Sequence, residues 1–373
     1  MVKGKKIRRK MGNVDYGILY CIIILLAIGI VMVYSASSYY AMFHYGDSTI
    51  FLKKEAFAGL LGLIAMFVFM GIDYHKLKKV TLPLMVITIP LLLVVYAFPP
   101  TNGAYRWIPI GPFGTFQPSE LAKYVVVLFL AFSLSSKGDG VKKFWTGIVP
   151  YIVVAGFYAG LVLAQKNLSI AALIMIVTFI VLFSAGGRLK HLFLYVAPTL
   201  VAVALAFTFS SDYRRARMLN FIDPWKDAAG DGYQLIQSFY ALGAGGILGL
   251  GLGQSRQKTL YMPEPHNDFI FSIIGEELGL IGCIVIISLF IFLICKGIKV
   301  ALEARDTYGT LLAMGITSVL AVQVIINIAV VTGSMPVTGV PLPFISYGGT
   351  SLAITMTAMG ILLNISRQKE TTK

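Results

Sequence analysis

The chain has 373 residues, of which 57% are hydrophobic and 13% charged, with a mean hydropathy of +0.80. A soluble domain carries about a quarter charged residues, so this composition belongs to a membrane protein and leaves no room for a soluble catalytic domain of ordinary size. The net charge of +14 would suit nucleic acid in a soluble chain; here it reads as loop sidedness and attraction to anionic lipid, with no nucleic-acid partner.

Residues 1–15 form a basic tail from Lys3 to Lys10. The apolar run after it is too long for a signal-peptide core and lacks a small-residue cleavage site, so it is expected to persist as the first span. At roughly 20 residues per span, the apolar runs at 16–34, 51–72, 80–98, 119–134, 144–164, 168–185, 192–210, 269–295, 309–332 and 342–365 predict an all-α integral membrane protein of about ten helices. The basic side chains gather on alternate segments: the N-tail, 76–79, 137–143, 188–190, 296–305 and the C-tail at 366–373. The short loops between them carry only Lys53, Lys54, Arg106 and Lys166, which predicts cytoplasmic termini. Cys21, Cys283 and Cys295 lie in or beside apolar runs without CxxC spacing, so they read as buried small residues rather than a disulfide or zinc framework.

Spans one to seven occupy 16–210 and spans eight to ten occupy 268–365; the loop between them, 211–267, is the long exception. Long loops in compact proteins are usually functional. Residues 232–253 are apolar but glycine-rich, and counting them as a span would move the C-tail outside. They read as a short amphipathic helix over 233–242 and a re-entrant or interfacial glycine stretch, allowed where backbone is buried or lines a wet cavity. The other outer segment, 103–118, mixes Tyr105, Trp107 and Phe116 with Pro109, Pro112 and Pro118 and reads as an aromatic loop at headgroup level.

Several chemistries are excluded. The glycine run has no βαβ context and no Gly-Lys-Ser/Thr, so it is no nucleotide loop. The four histidines (His44, His75, His191, His266) are scattered without HExxH, which disfavours a metal cage. Ser346 lacks the glycine two residues earlier that a nucleophile elbow needs. What stands out is 253–271, which gathers Arg256, Lys258, Glu264, His266 and Asp268 at the outer mouth of the eighth span. Asp268 either caps that helix or serves as a general base on a sugar hydroxyl beside cations. Arg256 and Lys258, with Arg214, Arg215 and Arg217 upstream, suit a diphosphate; the arginine triple equally suits lipid headgroups.

Ionisable residues inside spans are costly. Glu120 and Lys123, at i and i+3, can satisfy one another, whereas Glu276 and Glu277, roughly 12 Å inward of Asp268 at 1.5 Å per residue, need a cation from elsewhere. All four read either as functional groups or as a polar network that holds helices together. The prolines and glycine pair of 341–351 suggest a broken helix lining a cavity.

These residues resemble the SEDS proteins (shape, elongation, division and sporulation). The matching stretches are Arg106-Trp107, Gln117-Pro-Ser-Glu120, Phe221-Ile-Asp-Pro-Trp-Lys226, Gly232-Tyr-Gln234, Gly251-Leu-Gly-Gln-Ser-Arg-Gln-Lys258, Pro263-Glu-Pro-His-Asn-Asp-Phe-Ile-Phe271, Gly275-Glu-Glu-Leu-Gly279 and Pro341-Leu-Pro-Phe-Ile-Ser-Tyr-Gly-Gly349. Their wording is similar to the FtsW and SpoVE branch more than to RodA. The resemblance implies a ten-span protein of the bacterial cell membrane that polymerises lipid II on the extracytoplasmic face. There the residue matching Asp268 deprotonates the acceptor 4-hydroxyl and undecaprenyl diphosphate leaves with inversion. Arg106, Gln117, Glu120, Lys123 and Ser346 join the loop residues as candidates for substrate contact. It also implies a class B penicillin-binding protein and other divisome proteins as partners. No cofactor is certain, and a divalent cation with the diphosphate is compatible with the sequence. One departure is Gln165-Lys-Asn-Leu-Ser169, where family members often have Gln-Pro-Asp-Leu-Gly. The rival readings are a lipid II flippase, against which the outward clustering of charges and the lack of a visible inverted repeat both weigh, and a non-catalytic division scaffold.

Overall fold

The computed structural model describes residues 12–101, 103–111, 114–209, 215, 218, 221–230 and 232–368. The basic tail from Lys3 to Lys10, Arg214 and Arg217 lie outside these residues. Each of the ten apolar runs forms a helix. They are α1 (Tyr16–Tyr45), α2 (Ile50–Gly71), α3 (Tyr74–Ala97), α4 (Pro118–Leu134), α5 (Phe144–Ala164), α6 (Leu168–Ser184) and α7 (Leu189–Ala206). After the short α8 (Tyr233–Gly245) come α9 (Ile270–Leu302), α10 (Thr307–Val331) and α11 (Gly349–Ser366). Among the described residues eight helices are long and apolar enough to cross a membrane, which makes this a multi-pass membrane protein. At 17 residues each, α4 and α6 span about 26 Å, slightly less than a hydrocarbon core of about 30 Å.

Boundaries differ from the expected runs for local reasons. Helix α1 continues past 34 through Ser35, Ser37 and Ala41, which are buried, and stops at Gly46, whose left-handed φ of 72° lets its N–H reach Met42 O at 3.1 Å. Helix α11 starts at Gly349, not 342, because Pro341 and Pro343 cannot donate to a helix and Phe344 has a φ of 64°. The 103–118 segment carries a small antiparallel pair, β1 (Ile108–Pro109) with β2 (Thr115–Phe116). Cys21 and Cys283 are buried as expected, but Cys295 is exposed on α9.

Helix α10 is the central pillar, with 72% of its apolar window buried, whereas α7 is peripheral at 11%. Helices α2 and α11 pack along one another: Gly62 lies against Met356, Gly349 against Ala58, and a Cβ on Gly360 would collide with Met66 O. One end of the bundle is tied by a polar network. Asp15 caps α1 and pairs with Lys296 at 3.3 Å, while Ser366 Oγ accepts its N–H at the same distance. Tyr74 donates its hydroxyl to Asp306 at 2.6 Å, and His75 bridges Asp73 (2.7 Å) and Asp306 (3.1 Å). Asn364 accepts Tyr74 N–H and donates to Met70 O.

At the other end α9 is broken at Gly279 (φ 66°, ψ −168°). The break frees backbone groups, and the glycine-rich stretch takes them up as a strap. Leu250 and Gly251 donate to Glu276 O and Glu277 O at 2.9 and 3.0 Å, while Leu280 and Ile281 donate to Gly246 O and Ile247 O at 2.9 and 3.2 Å. The 246–253 stretch is therefore a loop folded onto a helix break, not an eleventh span. Only glycine fits this contact: a Cβ on Gly245 would strike Gly275 O, one on Gly249 would strike Glu277 O, and one on Gly279 would strike Gly249 N. Gly279→Ala is expected to lower stability by about 3 kcal/mol or more through strain and collision together. Gly243→Ala, in open space on α8, should be neutral or stabilising by up to roughly 1 kcal/mol. Thermal unfolding of both variants in detergent checks the contrast.

Candidate functional site at the irregular end

Asp268 lies two residues before α9, whose cap residue is Phe269 and makes no side-chain cap. The cap position is thus one residue beyond the aspartate. Asp268 is half-buried, and its Oδ2 faces Gly339, where a Cβ would sit 3.7 Å away. Its main chain is fixed from α10: Asn327 donates its two amide hydrogens to Asp268 O and Val340 O, both at 2.8 Å. One buried side chain therefore joins the aspartate loop to the 340–348 segment.

His266 anchors the same loop. Its carbonyl accepts Tyr347 N–H at 2.9 Å, and its ring packs among Phe51, Tyr347 and Tyr40, with centroids at 4.3, 5.5 and 5.6 Å. Burial in this aromatic surround pushes the imidazole down to about 4. Glu264 is exposed, has a φ of 46° and accepts Asn267 Nδ2 at 2.7 Å.

The cations divide. Lys258 is buried, and its ammonium lies 2.7 Å from Glu277 and 3.1 Å from Ser35 Oγ. Lys258, read from the sequence as suiting a diphosphate, is thus engaged as the cation that Glu277 requires. Glu277 also accepts Ser35 Oγ at 2.7 Å, Gly253 N–H at 2.9 Å and Ser255 N–H at 3.3 Å. Glu276 accepts Arg256 N–H at 2.9 Å, Gln257 N–H at 3.3 Å and the Ser255 hydroxyl. Arg256 is exposed. Arg215 is exposed as well.

Glu120 and Lys123 form a buried pair at 2.7 Å, and Ser351 donates to Glu120 from α11. Ser346 is buried with its hydroxyl accepting Leu342 N–H at 2.8 Å, so it braces the 341–348 turn. Gln117 precedes α4 and donates to Ser119 Oγ at 3.2 Å. Arg106 donates to Lys166 O, and Lys166 in turn donates to Gly103 O at 2.9 Å, so the departure at position 166 ties two loops together. Sequence reasoning passed over Glu55, a buried acid on α2 that accepts Gly348 N–H at 3.3 Å. A lone carboxylate in an apolar run was the available signal. Among the described residues no three His, Cys, Asp or Glu side chains form a metal-holding group.

A family model described as "cell cycle protein", covering FtsW, RodA and SpoVE, matches residues 16–371. The chain belongs to this family. It is 41% identical over 361 residues to the probable peptidoglycan glycosyltransferase FtsW of Geobacter sp. strain M18, covering 96% of this chain and 98% of that one. Stage V sporulation protein E of Bacillus subtilis is 42% identical over 349 residues, covering 92% and 94%. Among solved structures, one described for structural coordination of polymerization and crosslinking by a peptidoglycan synthase complex superposes with a TM-score of 0.79, at 29% identity over 96% of this chain and 99% of that one. The rod shape determining protein RodA of Thermus thermophilus gives 0.71, at 27% identity over 95% and 97%.

The buried His266 makes a pH prediction. Its folded value, about 4, lies below the ordinary 6.5, so as pH falls the unfolded chain takes up a proton first. The stability contribution is complete above 6.5 and is lost between 6.5 and 4. For this residue alone that loss is about 2 kcal/mol on going from pH 8 to pH 5. His266→Phe should flatten this part of the pH dependence of the unfolding midpoint; an unchanged slope would count against the burial argument.

Proposed function

We propose that this family member is a peptidoglycan glycosyltransferase that polymerises lipid II at the outer face of the bacterial plasma membrane, in division or sporulation. The observation that carries the reading is Asp268, a half-buried carboxylate clamped at its own carbonyl by Asn327 and followed two helical turns on by the carboxylates that hold the Arg256 loop. In this reading Asp268 takes the proton from the 4-hydroxyl of the acceptor sugar. The oxygen attacks the anomeric carbon of the donor MurNAc from the face opposite its diphosphate. The bond to the diphosphate oxygen breaks, the configuration inverts, and undecaprenyl diphosphate departs against Arg256. The proton ends on Asp268.

The partner in this reading is a class B penicillin-binding protein, supported by the likeness to a peptidoglycan synthase complex. Other divisome proteins belong to the same proposal. The network of Asp15, Tyr74, His75, Asp306 and Asn364 speaks against a flippase, because a carrier must open both ends.

Purified lipid II polymerisation by the protein with its partner tests the assignment. Asp268→Asn should cost at least roughly 100-fold, as loss of a general base does; near-normal synthesis would return Asp268 to a structural role and favour the scaffold reading.

Sidedness has its own test. With Cys21, Cys283 and Cys295 replaced, Lys226→Cys and Arg256→Cys, both at exposed positions, should react with a membrane-impermeant thiol reagent in intact cells, and Lys78→Cys should not. Labelling only after permeabilisation would put the site on the cytoplasmic side and end the polymerase reading.

A further inference from the structure

The 253–258 loop has the form of an anion site that is filled from within. Backbone N–H groups of Gly253, Ser255, Arg256 and Gln257, the Ser255 hydroxyl and the Lys258 ammonium all converge on Glu276 and Glu277. Successive amides beside a lysine make a nest that elsewhere holds phosphate. Here two adjacent carboxylates occupy it, both buried to 1% exposure or less. A diphosphate is therefore kept out of the nest by occupancy and by like charge, and it must be met by a group the loop presents outward.

That group is Arg256. Its backbone N–H is pinned to Glu276 at 2.9 Å, its carbonyl takes Thr259 N–H at 3.1 Å, and the residue is exposed. A buried pair of carboxylates facing one ammonium is a costly way to close a loop, since apolar packing would do it at least as well. It does, however, supply charge-assisted acceptors that fix the loop's position. Glu277 adds Ser35, so α1, α9 and the loop meet at one point.

We propose that Glu276 and Glu277 are positioning residues, an internal counter-anion that fills the 253–258 nest and sets the place from which Arg256 receives the diphosphate leaving group. This rests on the glycosyltransferase reading above. It assigns the two glutamates no contact with substrate.

The test is Glu276→Gln, which keeps the shape but turns an amide N–H₂ toward N–H donors. Misplacing Arg256 should lower polymerisation roughly 10- to 100-fold. In an Arg256→Ala background the same substitution should cost nothing further, because the residue it acts through is gone. A spin label on Arg256→Cys, in the cysteine-replaced chain, should be immobile with Glu276 and mobile with Glu276→Gln; this readout needs no substrate. Losses that multiply across the two backgrounds, an Arg256→Ala variant as active as wild type, or a label equally immobile in both would each overturn the proposal. Should Glu276→Gln not reach the membrane folded, Ser255→Ala, which removes one donor from Glu276, carries the same cycle with a smaller loss. Full polymerisation by Asp268→Asn would sink the glycosyltransferase reading instead, and the label would still decide whether the nest holds the loop.

Discussion

A helix broken inside a bilayer-length segment must find partners for the backbone groups it releases, because each one left bare in an apolar surround costs several kcal/mol. In α9 the break at Gly279 frees Glu276 O, Glu277 O, Leu280 N and Ile281 N, and the 246–251 strap satisfies all four. The strap can approach so closely only because residues 245, 249 and 279 lack side chains. Once it is seated, the next residues, 253–258, lie directly over the carboxylates of Glu276 and Glu277 and give them their hydrogen bonds. Backbone repair and charge burial are thus one event. The positions of Ser255, Arg256 and Lys258 follow from it.

The ten helices were legible because a run of about 20 apolar residues is a strong signal. Their ends were less so. Ser35 and Ser37 lower the hydropathy of α1 without ending its helix, while Leu342, Phe344 and Ile345 look like a span although the prolines among them forbid one. The candidate site divides in the same way. Asp268, Arg256 and His266 stood out as polar residues clustered beside an apolar run, and Glu276 and Glu277 were recognised as needing a cation. That the cation is Lys258 was not legible, since a 19-residue separation has no periodic meaning until the strap folds back. Asn327 gave no signal at all: an amide on an apolar helix looks the same whether it faces lipid or clamps Asp268 O.

The two ends of the bundle solve opposite problems. At one end, side chains from α1, α3, α9, α10 and α11 or the turns beside them interlock through Asp15, Tyr74, Asp306, Lys296 and Ser366. Burial there works to raise the Asp306 carboxyl, but hydrogen bonds from Tyr74 and the Gly309 amide, with His75 alongside, outweigh it and leave it below the usual carboxylate range. A charged, well-partnered carboxylate makes a firm tie. At the other end, irregular stretches at 246–269 and 333–348 replace helix, and their backbone groups are met one by one by Asn327, Ser346, Glu55 and the two α9 glutamates. Loops held in this manner can form a fixed polar surface, which regular helices in lipid cannot offer.

This arrangement also couples the two halves of the proposed chemistry. Asp268 lies in the turn that leads into α9 and Glu276 eight residues further along on that helix, so one turn-and-helix unit carries both the proposed base and the support for the proposed leaving-group cation. From Ile270 to Glu277 the helix is unbroken, because the break comes at Gly279. Asn327 holds the near end of that unit to α10, and Ser35 holds the far end to α1. A shift of α9 therefore carries the base and the Arg256 loop together and leaves their spacing intact. A reaction that must deprotonate one sugar while releasing the diphosphate of another depends on that spacing, and in this chain it is set by the turn at 268–269 and the unbroken helix from Ile270 to Glu277.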